Sequence, residues 1–263
     1  MQHDPRWQDI ASAAVAPLGP KERELAPSGR VLTFVFEGYP DGLEVLRPAL
    51  RSHRISTSLW VRREFTNEDR LSAEYLILGT EGVVKSVEGT LQWEDVSVCT
   101  HCACLETRWD LEPLGIAEQP QEEVLTSVDW HPMVVSKELA RSLERANFSG
   151  LELLPVGPDR PAQWYGLQPT HILPSVAVPP TRLPRSPSST PQCAANHLWD
   201  GLTHSQLSYR RSEFIAADFN QSYELFGDIS TAQRTVVVSQ QVYSLLVERG
   251  VKQLDCEPVQ VIG

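Results

Sequence analysis

The chain is short of positive charge. Its 263 residues hold 23 Lys and Arg against 34 Asp and Glu, a net charge of −11 with a pI of about 5.1. Such a surface repels phosphate, which disfavours binding to nucleic acid or to an anionic membrane and suits a basic protein partner. Apolar stretches of bilayer-spanning length are missing too, so no membrane segment is expected. Near the start, Asp4 and Asp9 stand where a secretory leader needs positive charge, and Pro17 breaks "IASAAVAPL". The expectation is a cytoplasmic protein without a signal peptide. Cysteine is scarce: five residues are an odd number and too few for a disulfide scaffold. In a reducing compartment their close spacing points instead to metal or redox chemistry.

Catalytic signatures are lacking as well. The chain has no G-x-S-x-G, no HExxH, no Walker-type glycine loop and no G-x-G-x-x-G. His53, His101, His131, His171, His197 and His204 are scattered, and only His197 has a metal-like neighbour, Cys193. A non-catalytic protein is expected; an enzyme with an unrecognised site is the alternative.

What is present is an ordinary globular mixture, 41% hydrophobic and 22% charged, enough to bury a core. Prolines interrupt residues 1–29. "RVLTFVFEG" and "STSLWVRREF" read as strands. "TNEDRLSAEYLIL" reads as a helix capped at Thr66 or Asn67, running into a strand near Tyr75–Leu78. Residues 168–192 contain seven prolines and read as a linker.

On either side of that linker the chain repeats itself. "VVSKELARSLERANFSGLELLPV" (134–156) and "VVSQQVYSLLVERGVKQLDCEPV" (237–259) align without a gap, with seven identities. Each reads as strand, Ser cap (Ser136, Ser239), helix and short strand, the helices ending near Asn147 and Gly250. Upstream of the first lies "CTHCAC", with Cys99, Cys102 and Cys104; upstream of the second lies Cys193. The spacing predicts two metal knuckles, one per copy. Position 196 is Asn, so His197 is the fourth candidate for a Cys3His zinc site with Cys99, Cys102 and Cys193. The other reading is a vestigial site of clustered buried thiols.

The fold class expected is α+β. Two duplicated strand–helix–strand units, 90–167 and 193–263, are each preceded by a degenerate zinc knuckle and related by a pseudo-twofold axis. An N-terminal α/β segment, 30–89, is added to the first. "DFNQSYELF" holds Asp218 and Glu224, with Asp228 nearby. These acids are candidates for a partner-binding patch, while Phe219, Leu225 and Phe226 read as core. Trp93, Trp109, Trp164 and Trp199 read as core anchors.

The order of these motifs resembles that of the double-CXXCG-motif proteins. The resemblance rests on "FTNEDRLSAEYLIL", "CTHCA", "VVSKELARSL…GLELLPV", "WYGLQP", "DFNQSYELFG" and the C-terminal repeat, and spans about residues 64–259. This chain has Ala103 where the family's first knuckle has Gly, and keeps only Cys193 of the second. The resemblance implies zinc, and for some members it implies immunity proteins paired with a cognate toxin of contact-dependent killing systems. The alternative is a zinc-ribbon protein acting on nucleic acid.

Overall fold

A computed structural model describes residues 7–20, 22–25, 32–35, 50, 65–99, 105–120, 122–129, 132–158, 161–177, 198–199, 206–226 and 232–263. The chain divides into two compact units, residues 1–63 and 64–263. The architecture is α+β, rich in sheet and with few helices, as the patterning implies. Among the described residues no helix is long and apolar enough to cross a membrane.

In the first unit, helix α1 (Trp7–Val15) places Ala11 in a small apolar cluster with Leu50, Ile10, Ala14 and Phe34. Strands β1 (Glu22–Leu25) and β2 (Leu32–Val35) pair antiparallel. The strand expected at "STSLWVRREF" lies outside the described residues, apart from Phe65.

The second unit opens with helix α2 (Asn67–Ser72). Thr66 is its cap: the Thr66 hydroxyl accepts from the Asp69 amide at 3.1 Å, and the Asp69 carboxylate accepts from the Thr66 amide at 2.7 Å. This reciprocal box satisfies two donors that a helix start otherwise leaves open. Strand β3 (Tyr75–Ile77) follows, then β4 (Val83–Val84).

Two further strands, β5 (Gln92–Ser97) and β6 (Leu105–Asp110), form a separate hairpin. Next come β7 (Leu125–Val128), β8 (Met133–Ser136), helix α3 (Lys137–Ala146), β9 (Leu151–Pro155), β10 (Trp164–Pro169) and β11 (His171–Ile172). The C-terminal part adds β12 (Leu198–Trp199), β13 (Ser208–Arg210), β14 (Phe219–Phe226), β15 (Gln233–Ser239), helix α4 (Gln240–Glu248) and β16 (Glu257–Ile262).

Both repeated segments fold as strand, capped helix, strand. The Ser136 hydroxyl accepts from the Leu139 amide and the Ser239 hydroxyl from the Val242 amide. Asn147 closes α3 in a left-handed conformation, φ 54°. Gly250, φ +69°, follows α4.

The strands are not neighbours, however. In the five-stranded sheet β4-β7-β8-β10-β9, β10 lies between β8 and β9 and runs antiparallel to both. In the larger sheet β11-β14-β15-β3-β16-β13, β3 lies between β15 and β16, again antiparallel to both. Tyr165 sits between Val135 and Pro155 as Leu76 sits between Val238 and Pro258. Strand β3, within the segment read as 30–89, is thus a central strand of the C-terminal sheet. Likewise the stretch read as linker begins inside β10 and contributes β11.

Alternation along the strands splits the core into layers. Val135 and Val238 face a shared core with Leu139 and Leu143 of α3 and Val242 and Leu246 of α4. Their neighbours Val134 and Val237 point the other way, into outer clusters with Trp164 and with Tyr209 respectively. Fully burying one such Val or Leu contributes about 1.5–3 kcal/mol.

Candidate interaction surface

The β5–β6 hairpin begins at a turn held by Thr90. Its hydroxyl donates to the Val87 carbonyl at 2.7 Å and accepts from the Gly115 amide at 3.0 Å, and Gly89 takes the left-handed φ of +79°. The strands then run in register from Gln92↔Asp110 to Ser97↔Leu105. Trp93 and Trp109 face each other edge-on, ring centroids 5.7 Å apart. Trp93 is 55% exposed, so it is not the core anchor expected of it. Five of the six residues of β5 are exposed, so neither face of the strand is covered along most of its length.

Charge is concentrated here. Residues 88–123 contain nine of the 34 acids and one of the 23 bases, so this stretch carries eight of the chain's eleven net negative charges. Glu94, Asp95 and Asp110 on the strands are exposed. The Thr107 hydroxyl donates to Asp95 at 3.2 Å and fixes that carboxylate beside Trp93.

The far end of the hairpin leads into the first cysteine knuckle. Cys99 is half-buried, just past Ser97. Cys102, Cys193 and His197, the rest of the expected ligand set, lie outside the described residues. Among the described residues no group of His, Cys, Asp and Glu could hold a metal ion.

Residues just beyond the knuckles are placed. Glu106 bridges to Ala232, and the Thr107 amide donates to the Ala232 carbonyl at 3.0 Å, docking β6 on the start of β15. Arg234 locks this junction with a 2.8 Å ion pair to Glu106. One strand further, β12 pairs parallel with Leu225 and Phe226 of β14, whose other side holds Gln233 and Arg234.

The acids expected to form a partner patch divide. Glu224 is 1% exposed and cannot present a charge to a partner. Its Oε1 accepts from the Val176 amide at 2.8 Å, and burial pushes its carboxyl up to about 7. The strand is irregular here: the register shifts between Gln221 and Leu225, and Glu224 turns inward between exposed Tyr223 and buried Leu225. Asp218 is half-buried and serves the fold. Its carboxylate accepts from the Ser149 amide (2.9 Å), the Ser149 hydroxyl (2.7 Å) and the Ser239 hydroxyl (2.9 Å). Burial opposes its ionisation, but these hydrogen bonds hold the carboxyl below the usual range. Gly150, φ +76°, belongs to the same junction, where a Cβ would collide with the Phe219 carbonyl. Asp228 lies outside the described residues. Phe219, Leu225 and Phe226 are core residues, as expected.

Sequence reasoning passed over Glu94, Asp95 and Asp110, although the shortage of bases between Lys85 and Lys137 was a usable signal. No protein-family model matches the chain, and no curated protein matches it.

Proposed function

We propose that this chain is a non-catalytic binding protein that neutralises a cognate, basic toxin by covering it. The observation that carries this reading is the acidic hairpin, where the exposed carboxylates of Glu94, Asp95 and Asp110 share two strands with an exposed tryptophan, within a stretch of eight net negative charges. Tryptophan supplies contact area at low entropic cost, and the charges steer a basic partner.

The architecture behind that surface is a duplication. Gapless sequence identity, the paired Ser caps, and the matched positions of Tyr165 and Leu76 support two copies of one unit related by a pseudo-twofold axis. In this reading the copies exchange strands: β10 and β3 are counterparts, and so are β11 and β4, each leading from one sheet to the other.

Zinc fits the knuckle ends in donor type. Cys99 follows a strand end whose mate begins at Leu105, so in sequence the Cys-x2-Cys pair falls between two paired strands. With Cys102, Cys193 and His197 it would hold one zinc, whose contribution is structural: tethering the copies.

Co-expression with the product of the neighbouring open reading frame tests the function. Rescue of growth together with a 1:1 complex is expected. Absence of rescue, or co-purification with nucleic acid in place of a protein, overturns it and favours the zinc-ribbon alternative. Elemental analysis of protein purified without chelator should find about one zinc per chain.

A further inference from the structure

We propose that the outer edge of β5 is a docking strand: a basic, extended segment of a partner protein adds there as the third strand of the hairpin, with a side chain laid over Trp93. This rests on the binding-protein reading and names its surface and the partner's chemistry.

β6 has a neighbour on each side, β5 along its length and Ala232 at Glu106. β5 has one. Among the described residues no strand pairs with its second edge. An edge strand turns alternate N–H and C=O groups outward, ready to pair with another chain. A two-stranded hairpin is marginal by itself and gains from a third strand.

Proteins guard such edges with charge, and here the guard has one sign. Glu94 and Asp95 are successive residues, so one carboxylate stands on each face of the hairpin. A second copy of β5 pairing antiparallel about these residues would set acid against acid. A neutral strand would crowd carboxylates that gain no counter-charge. A strand carrying Lys or Arg on alternate residues presents its cations on one face: on the face of Trp93 they meet Asp95 by direct cross-strand pairing, while its apolar residues fall on the other face, where Glu94 already lies opposite Arg108. The edge thus discriminates against itself and in favour of a basic segment. Trp93 adds a site for the cation's alkyl stem and charge, the ring being backed by Trp109 at 5.7 Å.

The probe is an acetylated, amidated Lys-Val alternating octapeptide, with a Glu-Val octapeptide beside it, added to the full chain. Lys-Val is expected to quench tryptophan fluorescence and slow amide exchange at residues 92–97, less so as salt rises. Glu94→Lys/Asp95→Lys should weaken Lys-Val binding about tenfold and admit Glu-Val, with unchanged melting temperature. Trp93→Ala should remove the fluorescence change but leave the exchange protection. Protection that falls elsewhere, binding indifferent to the charge reversal, no binding of Lys-Val, or a dimer joined through β5 in sedimentation overturns the inference. The two readings fail separately. Protection of β5 without growth rescue removes the toxin assignment alone. Rescue that survives the charge reversal, with no β5 protection, removes the docking strand alone.

Discussion

Arg234 on β15 and Glu106 on β6 meet at 2.8 Å with side chains only 14% and 10% exposed, and Arg234 also donates to the carbonyls of Ser222 and Tyr223. This pair reinforces the backbone contacts with Ala232 that join the acidic hairpin to the C-terminal sheet. Its geometry couples the two partners: without Arg234, Glu106 keeps only Arg108 at 3.3 Å, and without Glu106, Arg234 keeps only the two carbonyls and no counter-charge at the junction.

Glu106→Gln is therefore expected to cost about 3 kcal/mol, read as a shifted midpoint in urea. Glu106→Leu/Arg234→Met, which removes both charges, should recover much of that loss. A single variant as stable as the parent would mean that the junction is held by the Ala232 backbone contacts.

Glu224 gives a pH dependence with a definite sign. Folded, its carboxyl titrates at about 7 because burial disfavours the charge; unfolded, it returns to about 4.5. Between those values the unfolded chain has released the proton and the folded chain has not. The group's stabilising contribution is complete below pH 4.5 and is lost as pH rises to about 7, on the order of 3 kcal/mol. Asp129, held down to about 2 mainly by Ser86 and then Lys85, acts only below its ordinary 3.8, outside this window. Glu224→Gln keeps a carbonyl for the Val176 amide and should flatten melting temperature between pH 4.5 and 7. An unchanged slope would assign it to other groups.

The two caps should be individually measurable. Ser136→Ala removes the acceptor for the Leu139 amide and, at 3.1 Å, for the Val124 amide. Ser239→Ala removes the acceptor for the Val242 amide and a donor to Asp218. Each is expected to cost about 1–2 kcal/mol in thermal or urea unfolding. The Gly variants should cost no more than the Ala variants. A loss below a few tenths of a kcal/mol at either site would mean that tertiary packing alone sets the helix start.

These caps were legible because their information is local. A Ser before a helical pattern, an apolar "VV" ahead of it and a left-handed Asn or Gly behind it are all encoded within a few residues. The capping box at Thr66 was read for the same reason. The insertion of β3 and β10 was not legible, because which strand sits beside which is decided by pairings far apart in sequence. Glu224 was misplaced by a register shift that no alternation rule foresees. Trp93 was assigned to the core because burial of a tryptophan is the common case; the lone hairpin that exposes it is a tertiary fact.

Reciprocal strand placement predicts fragment complementation. Residues 1–160 contain β3 but lack β10, and residues 161–263 contain β10 but lack β3. Each sheet is then without a central strand, so each fragment alone should lack a cooperative melt. Co-expressed, the two should form a soluble 1:1 complex with a single transition. A fragment that melts cooperatively by itself would show that its sheet tolerates a missing centre.

The position of β3 also sets a timetable. The first sheet has all its strands once the chain has been made as far as Pro169, but β3 gains its neighbours only when β15 and β16 exist. At ribosomal speeds of about 5–20 residues per second, the segment "YLIL" waits roughly ten to forty seconds for them. Throughout that interval an apolar strand with two open edges hangs from the nascent chain. Synthesis thus leaves a window in which a holding chaperone has a defined target, and the last dozen residues of the sequence decide when that window shuts.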